Sequence, residues 1–149
     1  FNRLYDFSYE DISSKNMNEC KMFIEKWFDE FLKIKREDIT EEKKAIDLAF
    51  KYYNELEFKG GVIKVGDQII ALTIGEEIND RIFDIHFEKA LSDYEGSYTV
   101  INNEFVKRNL MSYKYINREE DLGIEGLRKA KLSYYPSILL EKYTAVLKS

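Results

Sequence analysis

The chain is short of several things. Its 149 residues hold one cysteine, one histidine, one proline and only seven glycines. A single cysteine, Cys20, excludes an internal disulfide and a cysteine-built zinc site. Among helix-like neighbours it reads as a small buried apolar group. One histidine, with no HxH or HxxxH spacing, leaves Asp84, His86 and Glu88 as the only tight ligand set. Residues two apart on a strand give poor open tetrahedral geometry, so no metal is expected. There is no GxSxG, no activated-cysteine context and no glycine-rich P-loop, which removes the familiar nucleophile and phosphate-cradle patterns. Apolar runs reach only about four residues, so no segment reads as a membrane span. Repeats, low-complexity tracts and linker-like stretches are missing too.

What is present suits one ordered domain over residues 1–149. The apolar share is 44%, with 11 Tyr and 10 Phe, enough to build a packed core. A charged share of 34% argues for a soluble globule, and with the lone Cys and His for a cytoplasmic one. The net charge of −5 is unevenly spread: −4 over residues 1–57, −5 over 58–106 and +4 over 107–149. An acidic total opposes broad nucleic-acid binding, while the basic final third leaves room for a local anionic ligand. The chain opens on Phe1 without an apolar signal region, and this reads as a domain cut from a longer protein.

Periodicity gives the elements. Asn16–Ile34 repeats apolar residues at three and four and predicts a helix. Thr40, followed by Glu41 and Glu42, caps a second helix, with Ala45, Leu48, Ala49, Tyr52, Tyr53 and Leu56 as its apolar stripe. "GGVIKVGDQIIALTIGEEI" predicts two strands turned at Gly66–Asp67, and "RIFDIHFEKA" a third. "GSYTVINNEFVKRNL" reads as a helix, "YKYINR" as a short strand and "IEGLRKAKLSYY" as a helix stopped by Pro136. "LLEKYTAVL" reads as a last strand. The order is α-α-β-β-β-α-β-α-β: an α/β (α+β) chain with a mixed sheet between helices.

Two stretches could carry chemistry. In "IFDIHFEK", alternation sends Phe83, Ile85 and Phe87 one way and Asp84, His86 and Glu88 the other. An imidazole between two acids suits general acid/base work, and it equally suits a half-exposed strand with a polar outer face. In "YINREEDLGIEGLRKAKLSYYP", acids precede a helix start, which is ordinary capping chemistry. Arg128 and Lys131, three apart, can jointly face a phosphate or carboxylate, or sit on a salt-bridged exposed helix beside the Glu125–Lys129 pair.

The segments "GGVIKVGDQIIALTIGE", "HFEKA", "YINREEDLGIEGLRKAKLSYYP" and "LLEKYTAV" resemble a bacterial family of GNAT-like proteins. That family is grouped with the C-terminal domain of phosphatidylglycerol lysyltransferase, and the likeness covers roughly residues 16–148. The resemblance implies the acyl-CoA N-acyltransferase (GNAT) fold: a mainly antiparallel twisted sheet flanked by helices. It implies a tandem arrangement in which this chain is the second, C-terminal unit and a first GNAT unit of the same protein is its partner. It implies transfer of an acyl or aminoacyl group, from acyl-CoA or aminoacyl-tRNA as co-substrate, to an amine, a hydroxyl or a lipid headgroup. No permanently bound cofactor is implied. The residues it points to are His86 and Glu88 as catalytic groups. Lys89, Asn103, Glu104, Asn117, Arg118, Glu120, Asp121, Arg128 and Lys131 would bind substrate, the last two holding a phosphate or the acceptor end of tRNA. One departure stands out. The Gln/Arg-x-x-Gly-x-Gly/Ala pyrophosphate loop usual in GNAT acetyltransferases is replaced by "EKALSDYEGSYTVIN", with Gly96 its one glycine. The alternative function is a non-catalytic GNAT-fold domain that binds a small ligand or serves as a structural half.

Overall fold

Gly66 has φ +57°, a backbone conformation that favours glycine, and it reverses the chain between two strands as the Gly-Asp pair predicts. Around this hairpin the computed structural model describes residues 4–34, 40–119, 125–141 and 143. The elements are β1 (Phe7–Asp11), α1 (Met17–Ile34), α2 (Thr40–Lys51), β2 (Lys59–Val65), β3 (Gln68–Asn79) and β4 (Ile82–Ala90). Then come α3 (Ser97–Phe105), continued by a π-helical turn at Val106–Leu110, β5 (Tyr115–Asn117) and α4 (Glu125–Leu132). The five strands form one sheet in chain order. Neighbours are antiparallel from β1 to β4 and parallel between β4 and β5, where α3 carries the chain across.

The chain divides into two compact units, Phe1–Asn117 and Arg118–Ser149. All five strands and α1–α3 belong to the first, α4 to the second. In the first unit α1 and α2 cover one sheet face, where Phe23, Ile24, Phe28, Ile46 and Phe50 pack on Val62, Leu72 and Ile74. Helix α3 covers the other, with Val100 and Ile101 against Ile63, Ile70 and Ala71. Its Phe105, with Leu110 of the π turn, meets Phe83 and Ile85. The Trp27 indole N–H donates to the Ala90 carbonyl at 3.0 Å and ties α1 to the end of β4.

Three readings change. The sequence predicts no strand at "FSYED", because five half-polar residues give too short a pattern, yet β1 pairs along its full length with β2. The buried stripe of α2 is Ile46, Ala49, Phe50 and Tyr53, whereas Leu48, Tyr52 and Leu56 are exposed. Both sets fit a 3.6-residue period, and only the position of the sheet chooses between them. The last expected strand, Leu139–Leu147, is not seen in its described residues. Leu139–Glu141 and Tyr143 are exposed and irregular, and the rest lies outside the described residues. No helix among the described residues is long and apolar enough to cross a membrane.

Candidate active site

The site begins with one extra residue. Ile74 pairs with Phe87, but the next residue, Gly75, pairs with Ile85, so His86 is a β-bulge in β4. A bulge reverses the alternation of everything beyond it. Asp84, His86, Phe87 and Lys89 therefore share the face of α1 and α2. Glu88 and Ala90 turn to the face of α3, where the Asn102 amide donates to Glu88 Oε2 at 3.4 Å. The simple alternation predicted His86 and Glu88 side by side; the bulge puts them on opposite faces of the sheet. Gly75 makes the close approach possible: a Cβ there would lie 2.1 Å from the Asp84 carbonyl oxygen.

His86 Nε2 lies 2.8 Å from Glu76 Oε1, on the neighbouring strand. An ionised carboxylate only accepts, so in the neutral ring this bond calls for the proton on Nε2. Nδ1 is 4.0 Å from Asp84 Oδ2. Imidazolium formed by protonating Nδ1 would thus stand between two carboxylates. The ring also meets Phe58 at 5.8 Å and Phe87 at 6.1 Å, edge-on or tilted, which fixes its plane. The pairing of β4 with β5 ends close by, at Asp84 opposite Asn117, while β4 runs on to Ala90. The couple therefore stands where the two parallel strands part.

The other expected residues are dispersed. Asn117 is exposed at that last rung. Lys89 is bound to Glu42 at 2.6 Å, and its ammonium lies 4.2 Å from the centre of the Trp27 ring. Asn103 is exposed on α3, and Glu104 is paired with Lys107 at 3.5 Å and Arg108 at 3.3 Å. The buried amide of that helix is Asn102. Within the second unit, Lys131 donates to the Arg118 carbonyl at 2.5 Å. The Arg118 guanidinium stacks over Tyr134 at 4.4 Å, and Arg128 is exposed. Glu120 and Asp121 lie outside the described residues.

Sequence reasoning missed Glu76, because its partner is set by cross-strand register and not by spacing. It also missed a cavity of about 360 Å³ lined by Leu56, Glu57, Lys59, Glu76 and Glu77. Lys59 donates to the Tyr113 hydroxyl at 3.1 Å, and that hydroxyl donates to Glu77. Glu76 belongs to both the cavity wall and the histidine couple. At the other end of β4, the connection to α3 carries Asp93 and Glu95, both exposed, before Gly96.

Comparison with known proteins places the fold. The structure matches a conserved protein of unknown function from Bacteroides thetaiotaomicron at 40% identity and a TM-score of 0.87, over 93% of this chain and 47% of that one. An aminoglycoside N-acetyltransferase AAC(6')-Iy in complex with CoA shares the fold at 6% identity and a TM-score of 0.64, with 99% and 98% of the two chains covered. An uncharacterised protein of Mycoplasmoides gallisepticum is 27% identical over 77 residues, 52% of this chain and 25% of that protein. The chain thus spans about half of the first of these relatives and a quarter of the Mycoplasmoides protein. The family described as "Phosphatidylglycerol lysyltransferase, C-terminal" matches residues 1–146, and with its GNAT-like fold the chain belongs to that family.

Proposed function

We propose that the protein is a transferase of the GNAT type, moving an acyl or aminoacyl group from a thioester or ester donor to an amine or hydroxyl acceptor. The observation that carries this reading is the Glu76–His86 couple on the bulge, where β5 leaves β4. His86 Nδ1 takes the proton from the acceptor as its nitrogen or oxygen attacks the donor's carbonyl carbon. The new C–N or C–O bond forms, the bond from that carbon to the donor's sulfur or oxygen breaks, and the departing group takes up a proton. Glu76 and Asp84 stabilise the imidazolium by their charge. In this reading the anionic part of the donor is bound by the cations that the family resemblance names, Arg118, Arg128 and Lys131. Glu88, Lys89 and Glu104 have described partners in Asn102, Glu42 and Arg108, and Asn103 is exposed on α3, so the proposal gives them no step of the reaction. A cytoplasmic protein with a first GNAT unit in tandem completes the proposal.

The connection before α3 bears on the donor. A CoA pyrophosphate is met best by backbone N–H groups of a glycine loop at a helix N-terminus. Here one glycine follows Asp93 and Glu95, whose charges oppose a pyrophosphate. A CoA donor would then need a phosphate contact other than a glycine loop, and acyl-CoA and aminoacyl-tRNA both stand as donors in the proposal. The test is transfer of a radiolabelled group from each donor to a panel of amines and alcohols by the full chain and by His86→Ala. Turnover that persists in His86→Ala, or its absence with both donors, would sink the proposal. The same loop favours a second reading, a GNAT-fold domain that binds a small ligand without chemistry. Its signature is a ligand-dependent rise in melting temperature with no transfer.

A further inference from the structure

One rung of the sheet carries polar groups under a helix. Asp11 pairs with Gly61, Gly61 with Thr73 and Thr73 with Glu88, so the four residues line up across β1, β2, β3 and β4. Directly paired residues of antiparallel strands share a face. The Asn102 amide, which reaches Glu88 from α3, identifies this one as the face of α3. Its surroundings are apolar: Ile63, Ile70, Ala71, Val100 and Ile101 form the cluster between α3 and the sheet. Polar groups in such a layer are tolerated when they are hydrogen-bonded.

The β1 end of the row meets that condition within the protein. Gly61 has no side chain, and the Tyr9 hydroxyl stands in its place: a Cβ on Gly61 would lie 2.2 Å from that oxygen. The hydroxyl donates to Asp11 Oδ1 at 2.8 Å and accepts from the Asn109 amide at 2.8 Å. The β4 end does not. Thr73 is 0% exposed, and its Oγ1 has no hydrogen-bond partner among the described residues. Across the rung, the buried Asn102 amide donates to Glu88 Oε2 at 3.4 Å, a long bond. A carboxylate accepts from up to about four donors, so this bond does not exhaust Glu88.

We infer that one buried water is bound between Thr73 and Glu88 beneath α3. The Thr73 hydroxyl donates to the water, which donates in turn to a Glu88 oxygen and to the Asn102 amide oxygen. Three bonds are the usual number for a buried water. Side chains paired across neighbouring strands have Cβ atoms about 4.5–5.5 Å apart, a span that one water closes. The bridge joins β3 to β4 one pair before the bulge at His86, where the ladder is locally disrupted, and on the opposite side of the sheet from that ring. It is independent of the transferase reading and of any donor.

Valine has the shape of threonine without the hydroxyl, and this separates the two cases. A hydroxyl buried without a partner gains from replacement by a methyl group, whereas one that holds a bridging water loses by it. Thr73→Val is therefore expected to lower the urea midpoint of the full chain. A midpoint that is unchanged or higher would overturn the inference. The second measurement needs no variant. A crystal structure fine enough to show ordered water is expected to place a peak within about 3.2 Å of both Thr73 Oγ1 and a Glu88 carboxylate oxygen. An empty position there, or Thr73 Oγ1 bonded directly to a protein atom, would overturn it as well.

Discussion

At the scale of single residues, His86 and Glu88 are two apart in sequence and on opposite sides of the sheet. Their substitutions should therefore behave differently. His86→Ala is expected to lower kcat by about 10²–10⁴, the usual worth of a general base, with little change in melting temperature. Glu88→Gln should leave kcat near that of the parent chain and act instead on stability, through its bond to Asn102. Equal losses of kcat in both would contradict the bulge geometry. Cys20 offers a separate check. Burial pushes its thiol up to about 12, with the Glu19 charge adding to the effect. The thiolate is the reactive form, and at pH 8 it would amount to about one part in 10⁴. Ellman's reagent is thus expected to leave the native chain untouched and to titrate one thiol after urea unfolding. Stoichiometric reaction of the folded chain within minutes would contradict the packing of α1. Cys20 was legible from the sequence as buried because its helix repeats so cleanly. Glu76 was not, because nothing near it in the chain names its partner.

At the scale of elements, the bulge in β4 depends on β3. Gly75 approaches the Asp84 carbonyl so closely that a Cβ would stand 2.1 Å from that oxygen and 2.6 Å from Phe83 Cε1. The first obstacle is backbone and cannot swing aside. Gly75→Ala is expected to destabilise by about 1–3 kcal/mol or more, read as a lower urea midpoint, and to depress activity by shifting Asp84 and His86. An unchanged midpoint would mean that the strands separate at no cost. Alternation in "IFDIHFEK" revealed a strand with one apolar side, but it could not reveal an inserted residue. A bulge exists only relative to the neighbouring strand, so its register is a pairwise property. The α2 stripe fails to read for the same kind of reason: two apolar faces both satisfy the helical period, and the sheet takes one of them. The other, Leu48, Tyr52 and Leu56, is left exposed.

At the scale of the whole molecule, charge is the organising feature. Net charge is −5 over residues 58–106, which hold most of the pocket and the histidine, and +4 over residues 107–149, which hold Arg118, Arg128 and Lys131. The two compact units follow nearly the same division, with the boundary at Asn117 and Arg118. An aminoacyl-tRNA donor engaging those three cations predicts a steep salt dependence. The logarithm of its affinity should fall by about two for a tenfold rise in salt, since each single-strand phosphate neutralised contributes about 0.7. Steady-state KM for the donor, measured across a potassium chloride series, checks this. A flat response would remove the cations of the second unit from donor binding.

The sequence by itself determined the types of the eight elements from α1 to α4, the Gly66–Asp67 hairpin, the buried side of α1 and the family, because each rests on local periodicity, turn chemistry or long matched segments. Tertiary structure alone decided which face each polar residue of β4 presents, which side of α2 is buried, and that Glu76 and not Glu88 partners His86. These are properties of register and of surfaces brought together from distant parts of the chain. A one-residue slip in pairing exchanges faces, and no pattern within a single strand records the slip.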